Sequence, residues 1–256
     1  MEKVILISID GMRPDGFLTC GNPYIEELQR ISAHTLSGRT VFPPVTLPAH
    51  LSLFYSVPPQ RHGILTNTYT PFARPLPGLF EVLRNQELRS AMYYGWEELR
   101  DVSRPDCLMW ADYIHSDSAD DTDKQLTDRA IARIRSDKPD FVFLYMVQTD
   151  HYGHDIGWMT EEYLRRIGIA LDQAKRVIDE FADEYTIIIT ADHGGHERDH
   201  GEDVPEDRTI PQFYIGKRFT PGRVLENVSI MDTAPTILDL LGLRCPREWE
   251  GKSLAE

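Results

Sequence analysis

Three short apolar segments, each followed closely by an aspartate, constrain the fold of this 256-residue chain more than any other feature. They span residues 4–9, 141–147 and 186–190, and each has the length and β-branched character of a buried strand rather than a helix. Asp10, Asp150 and Asp192 follow these segments in turn. Because ligands bind outside the carboxyl ends of parallel strands, we expect the three carboxylates to converge at one edge of a sheet.

Helical patterns separate the predicted strands. They cover residues 22–32, 79–85, 121–136 and 160–184, with further strands at 89–95 and 212–216 and a C-terminal helix at 230–241. This alternation predicts an α/β fold with a largely parallel sheet. We expect one domain over residues 1–256, in which the proline- and aromatic-rich segment 68–118 is a candidate small cap or insertion.

Charge and cysteine content exclude several classes of protein. The 27 Lys and Arg against 41 Asp and Glu leave a net charge of −14, which repels a nucleic-acid polymer. Three cysteines without CxxC spacing suggest neither a disulfide framework nor a cysteine zinc site. No segment approaches the ~18 apolar residues of a membrane span, and the first apolar run is too short for a signal peptide. We therefore expect a cytoplasmic protein without a membrane partner.

The clustered carboxylates and histidines indicate a metal site. Three carboxylates close together repel one another, and a divalent cation would compensate them, although each aspartate alone could simply cap a turn. Five of the nine histidines lie in the two segments that also carry Asp150 and Asp192, and these are His151, His154, His193, His196 and His200. Mixed imidazole and carboxylate ligands suit Zn²⁺, with Mn²⁺ or Fe as alternatives.

Thr46 is the candidate nucleophile. Pro48 and the apolar residues beyond it place Thr46 near the N-cap of a helix, where free backbone N–H groups favour an anion. A metal in contact with the hydroxyl would lower its pKa and make covalent catalysis available. The alternative is that Thr46 serves only as a helix cap.

An ordered set of motifs then resembles a known family. The motifs are Ser-Ile-Asp-Gly-Met-Arg-Pro-Asp at 8–15, Phe-Pro-Pro-Val-Thr-Leu-Pro-Ala-His at 42–50, Arg-His-Gly-Ile at 61–64 with Asn67 beyond it, Asp150-x-x-Gly-His154, Ala-Asp-His-Gly-Gly at 191–195, His200-Gly201, and the closing segments 232–242 and 250–254. Together they resemble the alkaline phosphatase superfamily and, within it, the type I phosphodiesterase/nucleotide pyrophosphatase family. The resemblance implies a three-layer α/β/α sandwich around a largely parallel sheet.

The resemblance also implies a site with two divalent metal ions, most readily Zn²⁺, with Mn²⁺ as the alternative. One ion would be bound by Asp150, His154 and His200, and the other by Asp10, Asp192, His193 and the Thr46 oxygen. Thr46 would attack phosphorus, and Asn67 would hold a non-bridging phosphate oxygen. Spacing alone leaves His196 or His200 as the third histidine; the resemblance favours His200 because it precedes a glycine.

The predicted reaction is hydrolysis of a phosphodiester or pyrophosphate bond in a small nucleotide-like or lipid-head-group substrate. Sulfatases carry Cys or Ser where Thr46 stands, and cofactor-independent phosphoglycerate mutases use Ser and carry a large inserted domain. Monoesterases of the superfamily usually supply an arginine, for which Arg13 and Arg61 are candidates only by proximity in sequence. The alternatives are a phosphomonoesterase or phosphonate hydrolase of the superfamily, or a non-catalytic, metal-stabilised binding domain.

Overall fold

The computed structural model describes residues 2–116 and 120–256. Its strands are β1 (Lys3–Ile9), β2 (Ala33–Arg39), β3 (Ser90–Tyr94), β4 (Trp110–Tyr113), β5 (Phe141–Met146), β6 (Tyr185–Thr190) and β7 (Thr209–Ile215). Its α-helices are α1 (Pro14–Thr19), α2 (Ile25–Ile31), α3 (Thr46–Tyr55), α4 (Pro59–His62), α5 (Leu79–Asn85), α6 (Thr122–Asp137), α7 (Gln148–Ile156), α8 (Glu161–Phe181), α9 (Pro205–Arg208) and α10 (Thr233–Leu240). Among the residues that the structure describes, 3₁₀-helices span Glu97–Val102 and Ile230–Asp232.

The strands form one sheet in the order β2-β7-β6-β1-β5-β3-β4. The central strand β1 pairs in parallel with β5 and with β6, while β7 runs antiparallel to both β6 and β2. In this register Ile9 lies opposite Met146, and Ser8 lies opposite Thr190. The three central strands therefore end at the same edge of the sheet, and the loops that follow them start side by side.

Helices cover both faces of the sheet and make it the middle of three layers. On one side α8 contacts α1, α6 and α7, and on the other side α3 contacts α5 and α10. The long helix α8 buries a stripe at helical spacing, including Tyr163, Ile167, Ala170, Ala174 and Ile178. Each large apolar side chain buried in this way contributes roughly 1.5–3 kcal/mol to the stability of the fold.

The predicted fold class is confirmed: the sheet is largely parallel and helices alternate with strands. The predicted strands and long helices are observed within a few residues of their expected bounds. The strands β2 and β4 were not predicted. Strand β2 is rich in polar and small residues and contains a bulge between Thr35 and Gly38, so it lacks the apolar pattern of a buried strand. Val45, rather than Thr46, is the N-cap residue of α3, so Thr46 is its first helical residue.

The segment 68–118 contributes β3 and β4 to the central sheet, and its residues 117 and 118 lie outside the described part of the chain. Its role as a cap, and the single-domain organisation of residues 1–256, stay predictions. Within the described ranges, no helix is both long and apolar enough to cross a membrane.

Candidate metal centre and nucleophile

The first group of candidate ligands lies directly at the end of the central strands. Asp10 follows β1, and Asp192 and His193 follow β6; all three side chains are buried. The Nε2 atom of His193 lies 3.2 Å from Asp10 Oδ1 and 3.3 Å from Asp192 Oδ2. These three donors therefore surround a space of the size that one metal ion requires.

The second group is built on α7, which begins just beyond β5. Asp150 and His154 lie four positions apart and so share one helix face, where His154 Nε2 lies 3.5 Å from Asp150 Oδ2. The loop after β6 brings His200 to the same place, with its Nε2 3.8 Å from Asp150 Oδ1. The two groups adjoin each other, because the His193 and His200 rings stack with centroids 3.7 Å apart.

Backbone carbonyls fix the orientation of all three candidate ligand histidines. The Nδ1 atoms of His193, His154 and His200 lie 2.7, 2.9 and 2.8 Å from the carbonyl oxygens of Gly194, Arg198 and Pro44. A carbonyl oxygen only accepts, so each Nδ1 carries the hydrogen and donates it. In the neutral ring Nε2 then keeps its lone pair and points it toward the carboxylates, as a metal-ligating histidine requires.

The carboxylates show that this site suits cations. Asp10 Oδ1, Asp150 Oδ1 and Asp192 Oδ2 are buried and have no hydrogen-bond partner among the described residues. Burial, together with the charges of Asp192 and Asp150, raises the pKa of the Asp10 carboxyl well above its usual range. Burial also lowers the pKa of His200 to about 4, which leaves its ring neutral and able to ligate. Divalent cations in both groups would satisfy the three oxygens and offset their mutual repulsion.

Thr46 lies beside the first group. Its side chain is 4% exposed, and its Oγ1 is 3.1 Å from His193 Nε2. Asn67, twenty residues further on, reaches the same place and accepts a hydrogen bond from the Leu47 N–H through Oδ1, at 3.0 Å. Because that oxygen is used, the amide N–H groups of Asn67 are left to donate to a ligand next to Thr46.

All eight site residues predicted from the sequence therefore lie in or beside one site. His196, the open alternative to His200, lies apart from both groups, with its Nδ1 2.7 Å from Asp207. His50 is buried behind the site, where its Nδ1 donates to the Thr46 carbonyl and its Nε2 lies 3.1 Å from Ser8 Oγ.

Three supporting residues had no signal in the sequence. The Tyr145 hydroxyl donates to Asp10 Oδ2. Asp123, buried at the start of α6, accepts hydrogen bonds from the first N–H groups of α7, and Asp207 binds the backbone of the loop that carries His200. Tyr145 and Asp123 lie 135 and at least 24 residues along the chain from the groups they bind, so local patterning could not reveal them. Asp207 lies five and six residues from the N–H groups it binds, within a loop that has no regular pattern.

Two glycines let the site close around its ligands. Gly11 has a φ of +66°, and a Cβ there would lie 3.0 Å from Asp150 Oδ1. A Cβ at Gly195 would lie 2.2 Å from the Trp158 ring, which packs edge-on against His154. Both positions therefore need the smallest residue for the two ligand groups to approach each other.

A cavity of 460 Å³ opens onto the site. Its floor is formed by Asp10, Thr46, Asn67, Asp150, His154 and His200, and its other walls come from residues 95–98, from Tyr113, His115 and Ser116, and from α7. No lysine or arginine lines it among the described residues. Of the arginines considered from the sequence, Arg13 pairs with Asp15 and Arg61 pairs with Glu250, both outside this cavity.

Solved structures that share this fold include, by name, a nucleotide pyrophosphatase/phosphodiesterase, a sulfatase and a phosphonate monoester hydrolase. Murine ectonucleotide pyrophosphatase/phosphodiesterase 5, as an inactive variant in complex with AMP, superimposes with a TM-score of 0.80 at 15% identity, covering 96% of each chain. A phosphonate monoester hydrolase from Silicibacter pomeroyi has a TM-score of 0.76 at 16% identity, over 99% of this chain and 76% of that one. Because the sequence identities to these structures are low, the structural similarity is evidence for a shared fold alone.

Curated relatives in sequence are 2,3-bisphosphoglycerate-independent phosphoglycerate mutases. One from Methanosarcina acetivorans is 33% identical over 51% of this chain and 26% of its own length. Another, from Methanosarcina barkeri, is 26% identical over 94% of this chain and 43% of its own length. The chain thus spans less than half the length of these mutases. The model of the type I phosphodiesterase/nucleotide pyrophosphatase family matches residues 4–226, and the chain therefore belongs to this family.

Proposed function

We propose that this protein hydrolyses phosphodiester or pyrophosphate bonds of small substrates, with Thr46 as the nucleophile and two divalent cations, Zn²⁺ or Mn²⁺, as cofactors. The observation that carries the proposal is the position of the Thr46 hydroxyl, 3.1 Å from His193 Nε2 and beside two sets of clustered candidate metal ligands. A threonine that served only as a cap would have no reason to face these donors. Asp10, Asp192 and His193 would hold one cation, and Asp150, His154 and His200 the other.

The chain's own residues supply the nucleophile and position the phosphate. Bound divalent cations would lower the pKa of the Thr46 hydroxyl and offset the charge on the phosphoryl oxygens. Thr46 Oγ forms a bond to phosphorus as the bond to the leaving oxygen breaks, and the leaving oxygen takes up a proton in place of the one lost by Thr46. Asn67 donates to a non-bridging oxygen. Water then cleaves the Thr46–phosphate ester and restores the hydroxyl.

The lining of the cavity favours a diester over a monoester. A terminal phosphate of a monoester carries more negative charge than a diester and is usually bound by arginine or lysine. None lines the cavity within the described ranges. The net charge of −14 also opposes a polyanionic partner such as a nucleic acid. AMP, which the murine protein of the same fold binds, is itself a phosphomonoester, so that complex supports a nucleotide-like substituent and does not separate a diester from a monoester.

Monoester chemistry is the second candidate, and the sequence similarity to phosphoglycerate mutases favours it. A phosphonate hydrolase shares the fold as well. The same measurement separates these reactions, because a monoesterase would prefer a substrate with a terminal phosphate. A binding domain without catalysis would turn over neither substrate.

Initial rates on bis(p-nitrophenyl) phosphate and p-nitrophenyl phosphate test the proposal, with metal-loaded wild type, Thr46→Ala and Thr46→Ser side by side. We expect a preference for the diester that falls by about 10³-fold or more in Thr46→Ala. Thr46→Ser is the matched control, because it keeps the hydroxyl and should keep measurable turnover. Wild-type rates in Thr46→Ala, with metal content unchanged, would refute the covalent mechanism.

The proposed compartment is the cytoplasm. Cys20, Cys107 and Cys245 are all free thiols in the structure, which suits a reducing environment. Fractionation of the cells that produce the protein tests this assignment, and recovery outside the cytoplasm would refute it.

A further inference from the structure

A sharp turn carries the chain from β1 into the candidate metal centre. It spans Ile9 to Met12, and its closing hydrogen bond, from the Met12 N–H to the Ile9 carbonyl, is long at 3.4 Å. Asp10 lies in this turn, and the N–H group of Gly11 donates to Asp192 Oδ1 at 3.2 Å. The turn therefore positions two of the three candidate ligands of the first group, Asp10 directly and Asp192 through Gly11.

Two buried side chains from outside the turn hold its conformation. The Gly11 carbonyl accepts hydrogen bonds from the Tyr163 hydroxyl, at 2.8 Å, and from the Trp158 Nε1–H, at 3.0 Å. Trp158 follows α7, and Tyr163 lies in the first turn of α8. Glycine has more conformational freedom than any other residue, and both of these bonds are shorter than the one that closes the turn. The conformation of Gly11 therefore depends on donors that the helical layer supplies.

The same indole packs against the second group of candidate ligands. The Trp158 ring centroid lies 5.0 Å from that of His154, with the rings edge-on, and 6.0 Å from that of His200. The Trp158 backbone N–H also donates to the Glu197 carbonyl at 2.8 Å, in the loop that carries His200. Gly153 makes room for the indole, since a Cβ there would lie 2.7 Å from the ring. One residue therefore contacts both histidines of the second group and the turn that positions the first.

We propose, resting on the proposed function, that Trp158 is a positioning residue for both cation sites. Its indole N–H holds the turn that presents Asp10 and Asp192, and its ring holds the side chains of His154 and His200. Trp158 does not line the active-site cavity, so it acts on the reaction through the ligands that it orients. Groups that orient metal ligands in this way set the affinity for the metal. Loss of the N–H should therefore weaken cation binding in the first group, which the indole reaches through the Gly11 carbonyl.

A test on the first group alone separates this role from packing against the histidines. In His154→Ala the second group lacks a ligand, so the remaining ion reports on Asp10, Asp192 and His193. We compare His154→Ala with His154→Ala/Trp158→Phe, which keeps an aromatic ring and lacks the N–H. Zn²⁺ affinity is measured by competition with a chelator, and ligand geometry by the visible spectrum of bound Co²⁺. We expect Trp158→Phe to weaken Zn²⁺ binding about tenfold and to change the Co²⁺ spectrum.

Trp249→Phe is the matched control. Trp249 is 8% exposed against 6% for Trp158, and its Nε1–H likewise donates to a backbone carbonyl, that of Pro77, at 2.8 Å. In the His154→Ala background this control removes the same kind of hydrogen bond outside the site, so both readouts should stay unchanged. Unchanged Zn²⁺ affinity in Trp158→Phe would overturn the proposal. An equal loss of affinity in Trp249→Phe would also overturn it, because the effect would then be a general loss of stability.

Tyr163→Phe is the second variant, for use if Trp158→Phe does not fold. It keeps the ring and removes the other donor to the Gly11 carbonyl, so Zn²⁺ binding in the first group should weaken in the same direction. Unchanged affinity in this variant would overturn the proposal. Failure of the proposed function is distinguishable, because it would appear as absent hydrolysis by Zn²⁺-loaded wild type, whereas the affinities are measured without turnover.

Discussion

Asp123 holds the helix that carries two of the candidate metal ligands, and its substitution has a predictable dependence on pH. Its buried carboxylate accepts hydrogen bonds from the Val147 and Gln148 N–H groups, at 2.9 and 3.3 Å, where α7 begins. Burial raises the pKa of Asp123 to about 7 despite these donors. We consider Asp123→Asn, which keeps the size of the side chain and removes its titration.

The magnitude follows from the difference between the folded and unfolded pKa values. An unfolded aspartate has a pKa of about 3.9, so between about pH 4 and about pH 7 the folded protein holds a proton that the unfolded chain has lost. The free energy of unfolding therefore falls as the pH rises through this window. About three pKa units at about 1.4 kcal/mol each give about 4 kcal/mol in all, of which roughly 2.5 kcal/mol lies between about pH 5 and about pH 8.

Urea unfolding of metal-free wild type and Asp123→Asn measures this effect, since removal of metal eliminates the pH dependence of metal binding. We expect the stability of wild type relative to Asp123→Asn to fall by roughly 2.5 kcal/mol from about pH 5 to about pH 8. Asp183→Asn, at an exposed position, controls for the change in net charge. A difference between wild type and Asp123→Asn that stays constant with pH, or grows as the pH rises, would refute the reasoning.

Two further predictions concern metal binding. Asp207→Ala removes the acceptor of the Gly201 and Glu202 N–H groups, both at 2.9 Å. The variant should bind metal about 10- to 100-fold more weakly in a chelator competition. Unchanged affinity would show that the loop carrying His200 keeps its conformation without Asp207. His154→Ala removes a donor from one group only, so metal analysis should find about one ion per chain instead of about two, and retention of both ions would contradict the ligand assignment.

The convergence of the carboxylates was predictable because it depends on the common direction of the strands that precede them. Once residues 4–9, 141–147 and 186–190 are accepted as parallel strands, Asp10, Asp150 and Asp192 must follow them to the same edge. The pairing of β1 with both β5 and β6 fulfils this expectation.

The helix α7 was not predictable in the same way. Its sequence, Gln-Thr-Asp-His-Tyr-Gly-His-Asp-Ile, is poor in strong helix formers and contains a glycine. The buried carboxylate of Asp123 stabilises its first turn from 24 and 25 residues away in the chain. Such long-range contacts, like that of Tyr145 with Asp10, exist only once the sheet has brought the segments together.

The candidate ligand histidines donate from Nδ1 to backbone carbonyls. Their orientation therefore does not depend on which side chains the neighbouring residues carry. Replacing Arg198 or Pro44 changes a side chain and keeps the carbonyl oxygen that His154 or His200 requires. The site is consequently robust to substitution at these neighbours and vulnerable to insertions or deletions, which shift the carbonyls themselves. Loop length, more than loop composition, is therefore the property that sequence changes around this site must preserve.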